Sequence, residues 1–115
     1  MDGPFEVDVI AGTSMFVKRT IYELTGLFNE EFFMYYEDGE FCYRVKKRGY
    51  KRIYLPTVVI KHIHMASAKK NLNNFSIMVS SFKSACIYFE NVKNPLYAYV
   101  FKIISNLAWS LEFWH

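Results

Sequence analysis

Cysteine, net charge and repetition are all scarce in this chain, and each scarcity closes a class of protein. The two cysteines among 115 residues, Cys42 and Cys86, lie far apart among apolar neighbours. Their number and spacing suit neither a disulfide framework nor a zinc site, so they read as buried thiols of a reducing compartment. Fourteen basic and eleven acidic residues leave a net charge of +3. The basic residues are scattered except over 46–52, which reads as a solvated helix end and turn, so no nucleic-acid partner is expected. Internal repeats and low-complexity tracts are absent. Asp2, Glu6 and Asp8 stand where a secretory leader would carry basic and then apolar residues, so no leader is expected. At this length the chain makes one domain at most, with a modest core.

Aromatic residues are abundant instead: eleven Phe, nine Tyr and two Trp. They crowd the stretch 32–50, FFMYYEDGEFCYRVKKRGY, around which the rest is organised. This reads as a helix with its punctuation in place. Glu37, Asp38 and Glu40 fall in the first turn, where the macrodipole is positive, and Lys46, Lys47 and Arg48 in the last. Gly49 can take the left-handed position that stops it. Phe41, Cys42 and Val45 share one face, and Glu40 and Arg44 make an i,i+4 pair on another. Two readings of Glu37 and Asp38 stand. Either they cap the helix by accepting backbone N–H bonds, or one of them faces a cleft as a general base.

The flanking segments follow in order. Residues 7–17 are β-branched and apolar and read as a buried strand, broken at Gly12, where either a bulge or a close approach of another group would need glycine. Residues 20–24 read as a short helix, capped by Thr20 and ended by Gly26. Residues 50–55 alternate as a strand and stop at Pro56. Residues 57–64 read as a second strand, with His62 and His64 on one face. An H-x-H without a third ligand points first to a satisfied or exposed histidine and only then to a metal pair. Asn73 or Asn74 starts a helix whose apolar positions, Phe75, Met78, Val79, Phe82, Ala85, Cys86 and Phe89, fit the helical period. Ser76, Ser80, Lys83 and Ser84 fall on its other face. Asn94 and Pro95 open a last helix over 96–114, apolar nearly all round. Its length approaches a membrane span, yet Lys102 and Glu112 would each cost about 2.5–3.5 kcal/mol at the bilayer centre. A helix lying in the membrane interface, with Trp109 and Trp114 at the headgroup level, and a helix buried against protein are the two remaining readings.

Taken in order, VDVIAGTSMFVKR, GLFNEEFFMYYEDGEFCYRVKKRGY, IYLPTVVIKH and the trailing Ser67 resemble the C-terminal half of a family 2 inverting glycosyltransferase with the GT-A fold. The nearest subgroup is the rhamnosyltransferase-like enzymes of bacterial surface polysaccharide synthesis. Members carry a G-x-F-D-E-x-F-F-x-Y-x-E-D-x-D-L-C-x-R pattern, a G-Y strand ending in proline, and an I-x-H element with a serine shortly after. The resemblance implies an α/β fold: a partial GT-A nucleotide-diphospho-sugar transferase, with the acceptor-side half over 1–72 and a C-terminal helical hairpin over 73–115. It implies Asp38 as the general base on the acceptor hydroxyl, Glu37, Tyr36 and Gly12 as acceptor-binding, and His62 as a ligand of a divalent metal, Mg²⁺ or Mn²⁺, beside the donor diphosphate. The reaction implied is in-line attack of a sugar hydroxyl on the anomeric carbon of a nucleotide sugar, with inversion.

The departures are specific. Asn29 replaces the usual aspartate, and Gly39-Glu40 replaces a small apolar residue plus aspartate. No D-x-D motif and no nucleotide-binding βαβ pattern precedes residue 7. The expectation is therefore an acceptor-side half-domain, a fragment or a truncated reading frame, inactive alone and holding no metal tightly. Its partners would be a nucleotide sugar and a saccharide acceptor in the complete enzyme, together with a membrane surface, a second copy or the N-terminal half. Its place would be the cytoplasm, peripheral on the inner face of the membrane. The alternative is a non-catalytic remnant that binds a membrane or partner through its last helix.

Overall fold

The computed structural model describes residues 3–63 and 74–112. In chain order the elements are β1 (Phe5–Glu6), a 3-10 turn over Gly12–Ser14, α1 (Arg19–Thr25), α2 (Glu37–Lys47), β2 (Ile53–Tyr54), α3 (Asn74–Tyr88), a π-helical turn over Phe89–Lys93, and α4 (Pro95–Glu112).

Helix α2 is the centre. Phe41 and Cys42 are each 1% exposed and Val45 is buried beside them, as their shared face requires. Phe41 meets Phe28 at 5.0 Å and Tyr22 at 5.4 Å between ring centroids. The helix stops where Gly49 turns left-handed, φ 81°. There Tyr50 N–H bonds Val45 O at 3.2 Å and Gly49 N–H bonds Lys46 O at 2.9 Å, the paired bonds of a Schellman stop. Two arginines one turn apart tie α1 to α2. Arg44 Nε donates to Glu40 Oε1 at 2.7 Å, and its Nη atoms donate to Thr25 O and to Leu27 O, the latter at 2.7 Å. Arg48 donates to Leu24 O. Carbonyls at the end of α1, which no helical N–H can reach, are satisfied by these guanidinium groups.

The sheet is small. Strands β1 and β2 pair antiparallel, Phe5 opposite Tyr54 and Glu6 opposite Ile53. Arg52, 5% exposed, pins this corner. Its guanidinium lies 3.5 Å from Glu6 and 3.6 Å from Asp8, and it donates to Tyr50 O at 3.0 Å. A buried cation needs that many partners to offset its lost hydration.

At the C-terminal end α3, the π turn and α4 form a hairpin. Phe101 of α4 stacks on Phe82 at 5.4 Å and meets Phe89 at 5.1 Å. Ile77, Ala85, Cys86, Val92 and Ala98 are buried there. Asn94 caps α4 as expected, its Oδ1 accepting Leu96 N–H at 2.9 Å. Among the described residues no helix is long and apolar enough to cross a membrane.

Several sequence expectations are corrected. Residues 7–17 form no strand: the backbone is extended at Ala11, Met15 and Lys18 and makes the 3-10 turn between. Over the described part of 57–64 there is likewise no strand, and the strand expected over 50–55 is confined to Ile53–Tyr54. Strand propensity is realised only against a neighbouring strand; residues 53–54 have one in β1, and residues 8–17 and 57–63 have none among the described residues. Lys18, without a side-chain bond, takes the N-cap of α1 in place of Thr20. On α3, Phe75 and Met78 are exposed. Ser84, assigned to the polar face, is 1% exposed and donates to Met34 O at 2.7 Å. A helix packed on two neighbours has no single outer face. His64, Ser67, Asn73 and Trp114 lie outside the described residues.

Candidate functional site

The N-terminus of α2 is built with backbone strain. Tyr35 and Tyr36 are both left-handed, φ 65° and 69°, a conformation that costs about 1–3 kcal/mol per non-glycine residue and that clusters at functional sites. Tyr36 is the N-cap residue but makes no side-chain cap bond. Its carbonyl accepts Glu40 N–H at 2.9 Å.

Asp38, in the first turn, does two jobs. Its Oδ1 accepts Gly39 N–H at 2.7 Å, a donor that the helix leaves free, and its Oδ2 accepts Gly12 N–H at 3.1 Å from the 3-10 turn. The Oδ1 bond is the capping contact expected of a carboxylate at a helix start, and the Oδ2 bond ties the 3-10 turn to α2. A carboxylate offers more lone-pair sites than these two bonds use. Glu37 sits beside the same turn, its Oε1 4.0 Å from where a Gly12 Cβ would stand. Its Oε2 is buried without a hydrogen-bond partner, as is Glu40 Oε2.

Asp38 lines an open cleft of about 490 Å³ with Val9, Tyr35, Tyr36, Gly39, Ser81 and Tyr88. The last two come from α3 and were not singled out from sequence. Tyr88 stacks at a tilt on Tyr36, 5.4 Å between centroids. It also explains Gly39: a Cβ there would stand 3.3 Å from Tyr88 Cε2. Burial pushes the Tyr88 phenol above its usual range, and Cys42, Tyr36 and Tyr43 act in the same direction. The signal available in sequence was only that Ser81 and Tyr88 are seven apart, hence on one helix face.

Gly12, Tyr36, Glu37 and Asp38 are therefore brought together. Gly12 enters through its N–H, and the space around it does not demand glycine, since an added Cβ would make ordinary contacts at 3.6 Å. His62 lies in the exposed segment after β2 and is not among the described residues lining the cleft. No group of three His, Cys, Asp or Glu among the described residues could hold a metal ion. The described residues of this chain therefore hold no complete metal site by themselves. A second hollow, about 400 Å³ and mostly apolar, opens between residues 10–18 and the Cys42 face of α2.

The chain matches no protein-family model, and no solved structure matches it. It is 46% identical over 43 residues to the low-salt glycan biosynthesis hexosyltransferase Agl10 of Haloferax volcanii, a match covering 37% of this chain and 14% of that protein. The chain is thus similar, over a short span, to part of a hexosyltransferase. That relationship is glycosyltransferase-like.

Proposed function

We propose that these residues form the acceptor side of a family 2 glycosyltransferase on the GT-A fold, transferring a hexose from a nucleotide donor to a saccharide or lipid-linked acceptor with inversion. The observation that carries the reading is the Asp38 carboxylate, fixed by two backbone N–H groups at the wall of an aromatic cleft. Asp38 takes the proton of the acceptor hydroxyl, the Gly12 N–H orients it, and Glu37 and Tyr36 hold the acceptor. The local similarity to a hexosyltransferase supports sugar transfer as the class. Residues 8–17 and 57–63, which form no strand, would join strands of a nucleotide-binding part, in this chain or another. That part would also supply the carboxylates of a Mg²⁺ or Mn²⁺ site to which His62 contributes one nitrogen. The place of such a reaction is the cytoplasmic membrane face, where lipid-linked acceptors lie.

The test is an NMR titration of the 115-residue chain with hexose-terminated oligosaccharides and, separately, with nucleotide sugars plus Mn²⁺. Oligosaccharides should shift the Gly12 and Gly39 amides, and nucleotide sugars should neither bind nor turn over. Metal-dependent turnover that vanishes in Asp38→Asn would overturn the half-domain reading. Untouched amides at every saccharide concentration would remove the acceptor site. Once the chain is joined to a nucleotide-binding part, Asp38→Asn should lower kcat by about 10²–10⁴-fold and leave donor binding alone.

A second reading rests on α4. Ala98 is buried and Phe101 half-buried, while Leu96, Val100, Ile103, Ile104 and Leu107 are exposed. Such an apolar surface suits a membrane interface or a partner. If Ile104→Ser with Leu107→Ser abolishes sedimentation with anionic liposomes, and no saccharide binds, the chain is an interaction module instead.

A further inference from the structure

We infer that the acceptor site extends onto α3, where Tyr88 and Tyr36 form one aromatic wall against which a pyranose ring of the acceptor lies, next to the Asp38 carboxylate. This rests on the acceptor-side reading and adds to it the residue that selects the substrate by shape. Four observations converge. The two rings touch at 5.4 Å and line the same cleft as Asp38. Gly39 is the residue of α2 beneath the Tyr88 ring, and a side chain there would crowd the ring at 3.3 Å, so the missing side chain gives Tyr88 its seat. Tyr88 is the last residue of α3, where the backbone changes to a π-helical turn over Phe89–Lys93. Such turns are rare and occur frequently at functional sites. Tyr36 is held in a strained left-handed conformation that turns the chain at the same wall.

The chemistry is that of sugars. A hexopyranose presents hydroxyls around its edge and a flatter C–H surface on its face, and it binds best where an aromatic wall meets a few polar groups. Here Asp38 supplies the acceptor for an edge hydroxyl, and Ser81, two turns before Tyr88 on the same face of α3, supplies a second polar group. The cleft volume, about 490 Å³, falls within the ~300–1,000 Å³ of small-molecule sites. A pyranose with an uninterrupted C–H face is the expected class, and sugars with an axial hydroxyl on that face are disfavoured.

The experiment compares oligosaccharide affinity, read by NMR, in the wild-type chain and in Tyr88→Phe, Tyr88→Leu and Asp38→Asn, with circular dichroism as the folding control. The stacking wall predicts that Tyr88→Phe binds within about threefold of wild type, that Tyr88→Leu loses at least tenfold while remaining folded, and that bound sugar protons shift upfield from the ring currents. If Tyr88→Leu binds as wild type while the Gly12 and Gly39 amides still shift, the wall on α3 is wrong and the acceptor site stands without it. If no saccharide shifts any amide of the wild-type chain, the wall falls together with the acceptor-side reading. If Tyr88→Leu unfolds, Tyr88→Phe decides through its ring-current shifts, whose absence overturns the proposal.

Discussion

The α1–α2 pair carries seven apolar residues in 18 positions and the segments 7–17 and 57–63 carry eleven in 18, yet the deepest burial falls to the helices. In α2, Phe41, Cys42 and Val45 fall on one face and are buried. In the segments 7–17 and 57–63 Phe16 is 89% exposed and Val59 92%. The difference is where hydrogen bonds come from. A helix closes its bonds within itself and needs a neighbour only for its apolar stripe, which α1 and residue Phe28 provide. A strand needs another strand for both. Where no partner strand lies among the described residues, the segment forms no ladder, and Phe16 and Val59 stay in solvent while Val7, Ile10, Met15 and Val17 are only half-buried.

The comparison would be broken most directly at Phe41. Phe41→Ala should cost about 3–5 kcal/mol, because the ring is fully buried and the α1–α2 contact closes around it. A denaturant melt showing less than about 1 kcal/mol would mean that α2 does not centre the fold. Arg44→Met comes next. It leaves the nearly buried Glu40 carboxylate and the end of α1 without their donor, and about 2–3 kcal/mol should be lost. Restoring stability with Glu40→Gln in the Arg44→Met background would assign the loss to the stranded charge and not to the cap.

A third, smaller effect follows from Cys42. Burial raises its thiol above the ordinary value of 9.0, opposed in part by the Ile10 backbone contact. The unfolded chain therefore loses this proton first, so stability should be full below pH 9 and decline as pH rises from there through the folded value. Cys42→Ala should flatten that decline in alkaline melts, and a decline that persists unchanged assigns it to other groups. The smallest effect is expected over residues 57–63. Val59→Ser should change stability by no more than about 0.5 kcal/mol, yet it should reduce self-association measured by sedimentation velocity, since exposed strand-like edges promote pairing between chains. A large loss of stability there would show that the segment is already packed.

How much could be read beforehand varies with the range of the interaction. The Glu40–Arg44 pair, the Gly49 stop and the Asn94 cap are local, and each is present. Asp38 stood out in the sequence as a carboxylate at a helix start. That its second oxygen meets Gly12 N–H, 26 residues earlier, depends on the path of the loop between them. Gly39 shows the gap most clearly: in sequence it is a propensity cost within a helix, and in the structure it is the seat of a ring 49 residues away.

The amino-acid sequence alone determined that α1, α2, α3 and α4 are helical, where α2 stops and α4 begins, and which face of α2 is apolar, because these follow from residues within one or two turns of each other. Only the tertiary structure decided that Tyr88 and Ser81 share a cleft with Asp38, that Arg44 and Arg48 close α1, and that Ser84 is buried against Met34. Those outcomes depend on how helices stack and how loops run, and the periodicity of a single segment carries no record of its neighbours. The strand-like segments belong to the same category, since strand conformation depends on a neighbouring strand that local propensity does not specify.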